Sequence, residues 1–450
     1  MRAAILIGTV LLGGGTCLPA DDSLAAKVDA IAAEALQGPV AGMSVAVGRG
    51  GQVLLAKGYG FANAELKVPA GPDTIYHIDS ITKFLTAAAV LKLAEEGRLG
   101  LDDDVGKWVP GFSTPERPVR IRHLLSHTSG LRSYTSEPGS EERERLDLGP
   151  EQILGLVRGA TPHFAPGDGW RYCNTGFYML GMVIEKVTGK AYGQYMRDEL
   201  FQPLGMESTR YGDVRPLIPN RAAGYEVEAG RLVNGPLMSW SLPFSGGNVV
   251  STVLDLLKWT DALAHGRLLK PESLKTMWSP SHLADGTPID YGLGTRLGML
   301  SGHRMVGHTG SGGGFKTALL FFPEDDLTVA VLTNTDTGSP VGVAAGIARA
   351  VLALPAEEDR ERPLPAGAGA AYAGHYESDE TDVTLFKRDG SLRFRRKDDD
   401  AAGRPLAYLG GDAFRIRGET VVRFLMKDGQ ARASSVYSSG LFVDAIMRVP

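Results

Sequence analysis

His77-Ile78-Asp79-Ser80-Ile81-Thr82-Lys83 is the stretch on which the reading of this chain turns. Residues three apart share a helix face, so a helix here sets a serine hydroxyl beside a lysine amine. Serine alone attacks carbonyls poorly, and an adjacent base is what makes it a nucleophile. The neighbours predict that helix. Asp79 suits an N-cap. Ile81, Phe84, Leu85, Ala88 and Leu91 recur at the spacing of a buried stripe, and Gly97 supplies a stop. Ser80 then falls in the first turn, where backbone N–H groups favour a developing anion. The bare spacing is weak evidence, because capped core helices with an incidental lysine also contain it.

Two later segments add weight. They are Trp170-Arg171-Tyr172-Cys173-Asn174-Thr175-Gly176 and Val306-Gly307-His308-Thr309-Gly310-Ser311-Gly312. S-x-x-K is joined by S-D-N and K-T-G elements in β-lactamases and penicillin-binding proteins. Here Tyr172-Cys173-Asn174 and His308-Thr309-Gly310 stand in those places, in the same order. Together with the text of residues 91–112, 121–131, 174–209, 245–259 and 321–334, they carry a resemblance. From about Ala25 to Leu354 the chain resembles the class C β-lactamase, D-alanyl-D-alanine carboxypeptidase and esterase superfamily of penicillin-recognising serine hydrolases.

The patterning predicts an α+β fold, an α/β sandwich. Gly42 to Gly48 and Gln52 to Gly60 are apolar runs joined by Arg49-Gly50-Gly51, which reads as a hairpin. Helical spacing dominates from Ile121 to about Leu263, as in Met179 to Val187 ended by Gly189. Strand signals return at His303–His308, Lys316–Phe322 and Leu327–Leu332, before a closing helix at Val341–Leu354. Strands at both ends imply one antiparallel sheet flanked by helices, with a mostly helical insertion and Ser80 at their junction. Pro355 to Ala370 reads as a linker. After Ala371 short alternating runs, with hairpins at Asp389-Gly390 and Asp428-Gly429, resemble a small lipocalin-like all-β barrel. The expected division is therefore 21–354 for the hydrolase domain, 355–370 for the linker and 371–450 for the β domain.

The chemistry expected is acyl transfer to Ser80 and hydrolysis of the acyl-enzyme. Lys83 accepts a proton at neutral pH only if burial or a neighbouring charge lowers its pKa from near 10.4. The alternative is a charged Lys83 that promotes a Tyr172 phenolate, the role the resemblance gives that tyrosine. The resemblance also implies that Asn174 orients Lys83 and substrate. It further implies that the backbone N–H of Ser311, with that of Ser80, holds the oxyanion. Gly310 and the glycines after Ser311 let backbone approach a ligand, or simply form a flexible tip. His308 departs from the lysine of K-T-G. With a pKa near 6.5 it is no constant cation for a substrate carboxylate, which favours esterase-like or aminopeptidase-like activity over efficient β-lactamase. Cys173, where relatives commonly carry serine, has no histidine beside it in sequence and reads as a small packing residue.

The substrate class is thus a small molecule or peptide with an ester, amide or β-lactam carbonyl. Two other readings stand beside it: a non-catalytic module that binds peptidoglycan-like peptides in a decayed cleft, and a zinc hydrolase using His123 and His127. No H-E-x-x-H or cysteine cluster supports the zinc reading, so neither metal nor other cofactor is expected. The 450 residues carry a net charge of -5, which gives no case for nucleic acid. Met1 to Ala20 reads as an export signal to periplasm or medium, with Cys17 as a poorer lipidation site. No other segment has the length and apolarity of a membrane span. Oligomeric state is not legible.

Overall fold

The computed structural model describes residues 22–114, 118–212, 215–355, 361–378, 381–396, 399–418 and 420–449. The export signal, Cys17 included, lies outside the described residues, as do residues 356–360 of the linker.

Six long strands form the central antiparallel sheet, in the order Arg296–Leu300, His303–Gly312, Phe315–Phe322, Leu327–Thr333, Gly42–Arg49 and Gln52–Asn63. The N-terminal hairpin therefore joins the edge of a C-terminal meander, so both ends of the predicted domain complete one sheet. Gly50 and Gly51 turn the hairpin at φ of 57° and 72°, the left-handed values its tight turn requires. Period-two alternation divides the faces. Val45, Val47, Leu320 and Val329 pack against the helices Asp22–Ala35 and Pro340–Leu352. Ala46, Leu319, Phe321 and Leu332 pack on the other face, in the core shared with Ile81–Glu95 and Val253–Ala264.

The helix Ile81–Glu95 differs from the predicted stripe. Twelve of its fifteen residues are buried, because the sheet covers one side and the helical region the other. A run of Thr86, Ala87, Ala88 and Ala89 keeps it thin enough for that position, and an all-round buried helix needs no polar face. Its start also differs. Ser80 occupies the N-cap position, while Asp79 sits before it at φ 43°, a left-handed value. Asp79 therefore does not cap the helix as its sequence position predicts.

Both C-terminal hairpins turn at the predicted Asp-Gly pairs, and Tyr372, Tyr376, Phe394, Phe414 and Phe424 fill a core of their own. One feature was not legible in sequence. The last strand, Leu441–Val449, pairs with Arg296–Leu300 through Gly298 and Leu441, so the C-terminal ladder continues the central sheet. Phe442 is fully buried, with its ring 5.4 Å from that of Trp170 and 6.3 Å from that of Tyr291. Among the described residues no helix is long and apolar enough to cross a membrane.

Phe442 is thus a bolt between the C-terminal strands and the body. Phe442→Ala is expected to cost about 3–5 kcal/mol, the usual range for a buried phenylalanine, read as a lower urea midpoint. An unchanged midpoint would show that the contact carries no stability.

Candidate active site

Lys83 Nζ lies 3.0 Å from Ser80 Oγ and 2.8 Å from the Gly246 carbonyl oxygen. Its side chain is 1% exposed. Burial is the main force on this amine and the Arg296 charge adds to it. Together they bring its pKa down to about 7, against the opposing pull of Asp79 and Cys173. The amine so rests near its midpoint at neutral pH, beside the hydroxyl it would serve.

Tyr172 brings its ring to the same place, 4.8 Å from Lys83 Nζ and 5.5 Å from the Arg296 guanidinium carbon. Arg296 is held from behind. Its Nη1 donates to the Phe442 carbonyl at 3.4 Å and to the Val443 carbonyl, so the C-terminal strand fixes a cation beside the tyrosine. Asn174 opens the next helix, Asn174–Thr188. Its Nδ2 donates to Thr135 Oγ1 at 3.0 Å, and the bonds on Nζ go instead to Ser80 and Gly246. Among the described bonds the Gly246 carbonyl, rather than Asn174, orients the Lys83 amine.

On the opposite wall, the strand His303–Gly312 runs beside Ile78 and Asp79. A Cβ at Gly310 would strike the Ile78 carbonyl, and one at Gly312 would lie 3.1 Å from Asp79 Oδ1. These glycines allow strand and serine turn to approach closely. Ser311 lies exposed between them.

His308 is not on the cleft wall. It is fully buried, with Nδ1 2.6 Å from the Thr309 carbonyl and Nε2 3.1 Å from the Tyr291 hydroxyl. It is one link in a buried hydrogen-bond chain. The chain starts at the Cys173 N–H, which donates to His127 Nδ1 at 3.0 Å. That forces the proton of neutral His127 onto Nε2, which donates to Tyr291 at 3.2 Å. Tyr291 then donates to His308 Nε2, and His308 Nδ1–H donates to Thr309. One backbone amide thus sets every proton between the Tyr-Cys-Asn segment and the His-Thr-Gly strand. Burial, then nearby cations, push both histidines well below their usual pKa, which keeps them neutral.

The same chain engages a histidine of the zinc reading. Both His127 nitrogens are engaged, and His123 Nδ1 accepts from the Arg120 N–H at 3.2 Å. Cys173 is 2% exposed, and its Sγ lies 3.4 Å from the Leu131 carbonyl, so it packs rather than reacts. Tyr291, Arg296 and Gly246 were missed in sequence, since nothing in their local text marks them. A cleft of about 580 Å³ beside Ser80 is lined by His77, Asp79, Trp240, Gly312 and Phe315. A larger groove of about 810 Å³ near Trp278, Met299 and Arg423 includes none of the residues around Lys83 and is not the reaction site.

The model of the family described as Beta-lactamase matches residues 24–354. The chain belongs to that β-lactamase family. It is 30% identical over 311 residues to "Penicillin-binding protein 4*" of Bacillus subtilis, covering 65% of this chain and 68% of that one. It spans about two thirds of the length of the curated relatives it matches. The octameric penicillin-binding protein homologue of Pyrococcus abyssi superposes with a TM-score of 0.66 at 27% identity, covering 94% of this chain and 99% of that one. A D-stereospecific amidohydrolase from Streptomyces sp. gives 0.61 at 28%, covering 74% and 99%. This β-lactamase-family protein is accordingly a serine hydrolase.

Two measurements check the buried chain. Tyr291→Phe would orphan His127 Nε2–H and His308 Nε2, with an expected loss of about 1–3 kcal/mol for each unpaired group. Acid should also destabilise the fold. The unfolded histidines take up protons below pH 6.5 while His127 and His308, depressed in the native state, refuse them. Each then contributes a slope of up to about 1.4 kcal/mol per pH unit, with stability lost as pH falls below 6.5. Urea midpoints at pH 7.5, 6.5 and 5.5 would show the decline, and a flat profile would contradict the buried neutral assignment.

Proposed function

We propose that Ser80 is the nucleophile of a two-step acyl transfer to water, with Lys83 as its base. The observation that carries this is the 3.0 Å contact between Lys83 Nζ and Ser80 Oγ, with the amine buried and its pKa drawn to about 7. A neutral amine has one lone pair. With a proton donated to the Gly246 carbonyl, that pair is free to accept the Ser80 proton as Oγ attacks the substrate carbonyl. The tetrahedral oxyanion then sits between the N–H groups of Ser80 and Ser311. Lys83 returns the proton to the leaving group through the neighbouring Tyr172 hydroxyl, and water repeats the sequence on the acyl-enzyme.

The cleft favours esters and small amides, aminoacyl amides included, over β-lactams and carboxy-terminal peptides. With His308 neutral and buried, the place of the K-T-G lysine offers no cation to a substrate carboxylate. The amidohydrolase neighbour supports an amide-cleaving repertoire. We also propose export through Met1–Ala20, checked by N-terminal sequencing of the protein from the cell envelope or medium.

A fluorophosphonate is expected to add to Ser80, and Ser80→Ala to abolish the adduct by mass spectrometry. For p-nitrophenyl acetate, kcat/KM should rise with pH through an apparent pKa near 7, because protonation below it removes the base. Loss of a general base costs about 10²–10⁴ in rate, so Lys83→Arg should fall by that much and lose the inflection. Rapid cephalosporin turnover with inert esters would overturn the substrate reading. An adduct that persists in Ser80→Ala would overturn the nucleophile.

A further inference from the structure

Asp79 stands next to Ser80 at a cost to the fold. It holds a left-handed φ of 43°, where a side chain other than glycine is strained. Its carboxyl group is buried, and Oδ2 has no hydrogen-bond partner. A buried polar atom without a partner is a net destabilisation. His77, two residues before, repeats the pattern: its Nδ1 is also buried and unpartnered, 3.9 Å from Asp79 Oδ1. Strain and orphaned acceptors that persist together beside a nucleophile point to a ligand that satisfies them.

Both residues line the 580 Å³ cleft with Trp240 and Phe315. The His77 ring lies 4.0 Å from the Trp240 ring and 5.7 Å from that of Phe315. Burial, reinforced by Arg221, lowers the His77 pKa to about 3, so its imidazole is a neutral acceptor. Burial likewise pushes the Asp79 carboxyl well above the usual carboxylate range, against the pull of Lys83, so it ionises when a cation arrives to pair with it. With a cation in place the cleft offers two acceptors and two aromatic rings, which suits a donor-rich ammonium. Arg221, its guanidinium carbon 5.9 Å from the Trp240 ring, and Glu65 stand at the exposed rim.

We propose that Asp79 and His77, with the Trp240 and Phe315 rings, bind the ammonium group of an aminoacyl substrate whose carbonyl is attacked by Ser80. This rests on the reading of Ser80 as nucleophile and names the acyl group it takes. An α-ammonium nitrogen lies about 2.5 Å from the carbonyl carbon it flanks, so its site has to adjoin the serine. Asp79 is the residue that does. The carboxylate–ammonium pair forms as the amine enters, and three N–H donors meet Asp79 Oδ2 and His77 Nδ1. A hydroxyl at the same carbon brings one donor and no charge, and a methylene brings neither.

The test compares p-nitroanilides of D- and L-alanine, lactate and propionate on the wild type, Asp79→Asn and Asp79→Gly. An alanyl substrate is expected to exceed the propionyl one at least tenfold in kcat/KM, and the lactoyl one by a similar margin. That ratio should fall at least tenfold in both variants. Asp79→Gly should raise Tm, since it removes both the strain and the orphaned carboxyl, whereas a purely structural aspartate would lower it. Equal turnover of all acyl groups, an unchanged ratio in the variants, or a lowered Tm would overturn the site. Binding is read separately on Ser80→Ala, by saturation-transfer NMR with alaninamide against propanamide. Selective binding that Asp79→Asn abolishes, without turnover by the wild type, keeps the ammonium site and removes the acyl-transfer reading. Turnover of every anilide without selective binding does the reverse.

Discussion

The contact between Lys83 Nζ and Ser80 Oγ depends on a lysine amine being kept out of water. Burying an ammonium is strongly unfavourable, so the group either finds a partner or gives up its proton near neutrality. Here the Gly246 carbonyl is the only protein acceptor beyond Ser80 itself among its described bonds, and the pKa settles near 7. The surrounding architecture follows from that requirement. A helix buried on all sides carries the pair, the sheet closes one flank and the helical region the other. A polar or half-exposed helix would leave Lys83 hydrated and charged.

Around this pair the protein spends its polar groups in two contrasting ways. The chain from Cys173 through His127, Tyr291 and His308 to Thr309 is fully satisfied, each proton directed by the one before it. Such a network is rigid, and it ties the two motif segments together at a fixed separation. His77 and Asp79 are the opposite case, with acceptors left open toward the cleft. Rigidity behind the reacting atoms and unsatisfied groups in front of them are what a binding site requires. The C-terminal strands take part in the rigid half, because Phe442 and Val443 hold Arg296 against Tyr172.

The sequence was most legible where a local rule acts alone. Gly50-Gly51, Asp389-Gly390 and Asp428-Gly429 turn hairpins because tight turns need left-handed backbone. Gly189 ends its helix at φ 72° for the same reason. Local rules misread Asp79: aspartate before a helix ordinarily caps it, yet here the close approach of Gly310 and Gly312 accompanies a left-handed turn that moves the cap to Ser80. The burial of His308 was not legible, because its motif position says nothing of which side of the strand it faces.

By itself, then, the sequence determined the spacing of Ser80 and Lys83, the order of the three motifs and the antiparallel sheet built from both chain ends. These follow from helix and strand periodicity, which acts over a few residues. Only tertiary structure decided that Gly246 rather than Asn174 holds the amine, that Tyr291 joins two histidines, and that the C-terminal strand buttresses Arg296. Those contacts join residues separated by between 17 and 164 positions, and burial by distant segments, not local pattern, sets their distances and charge states.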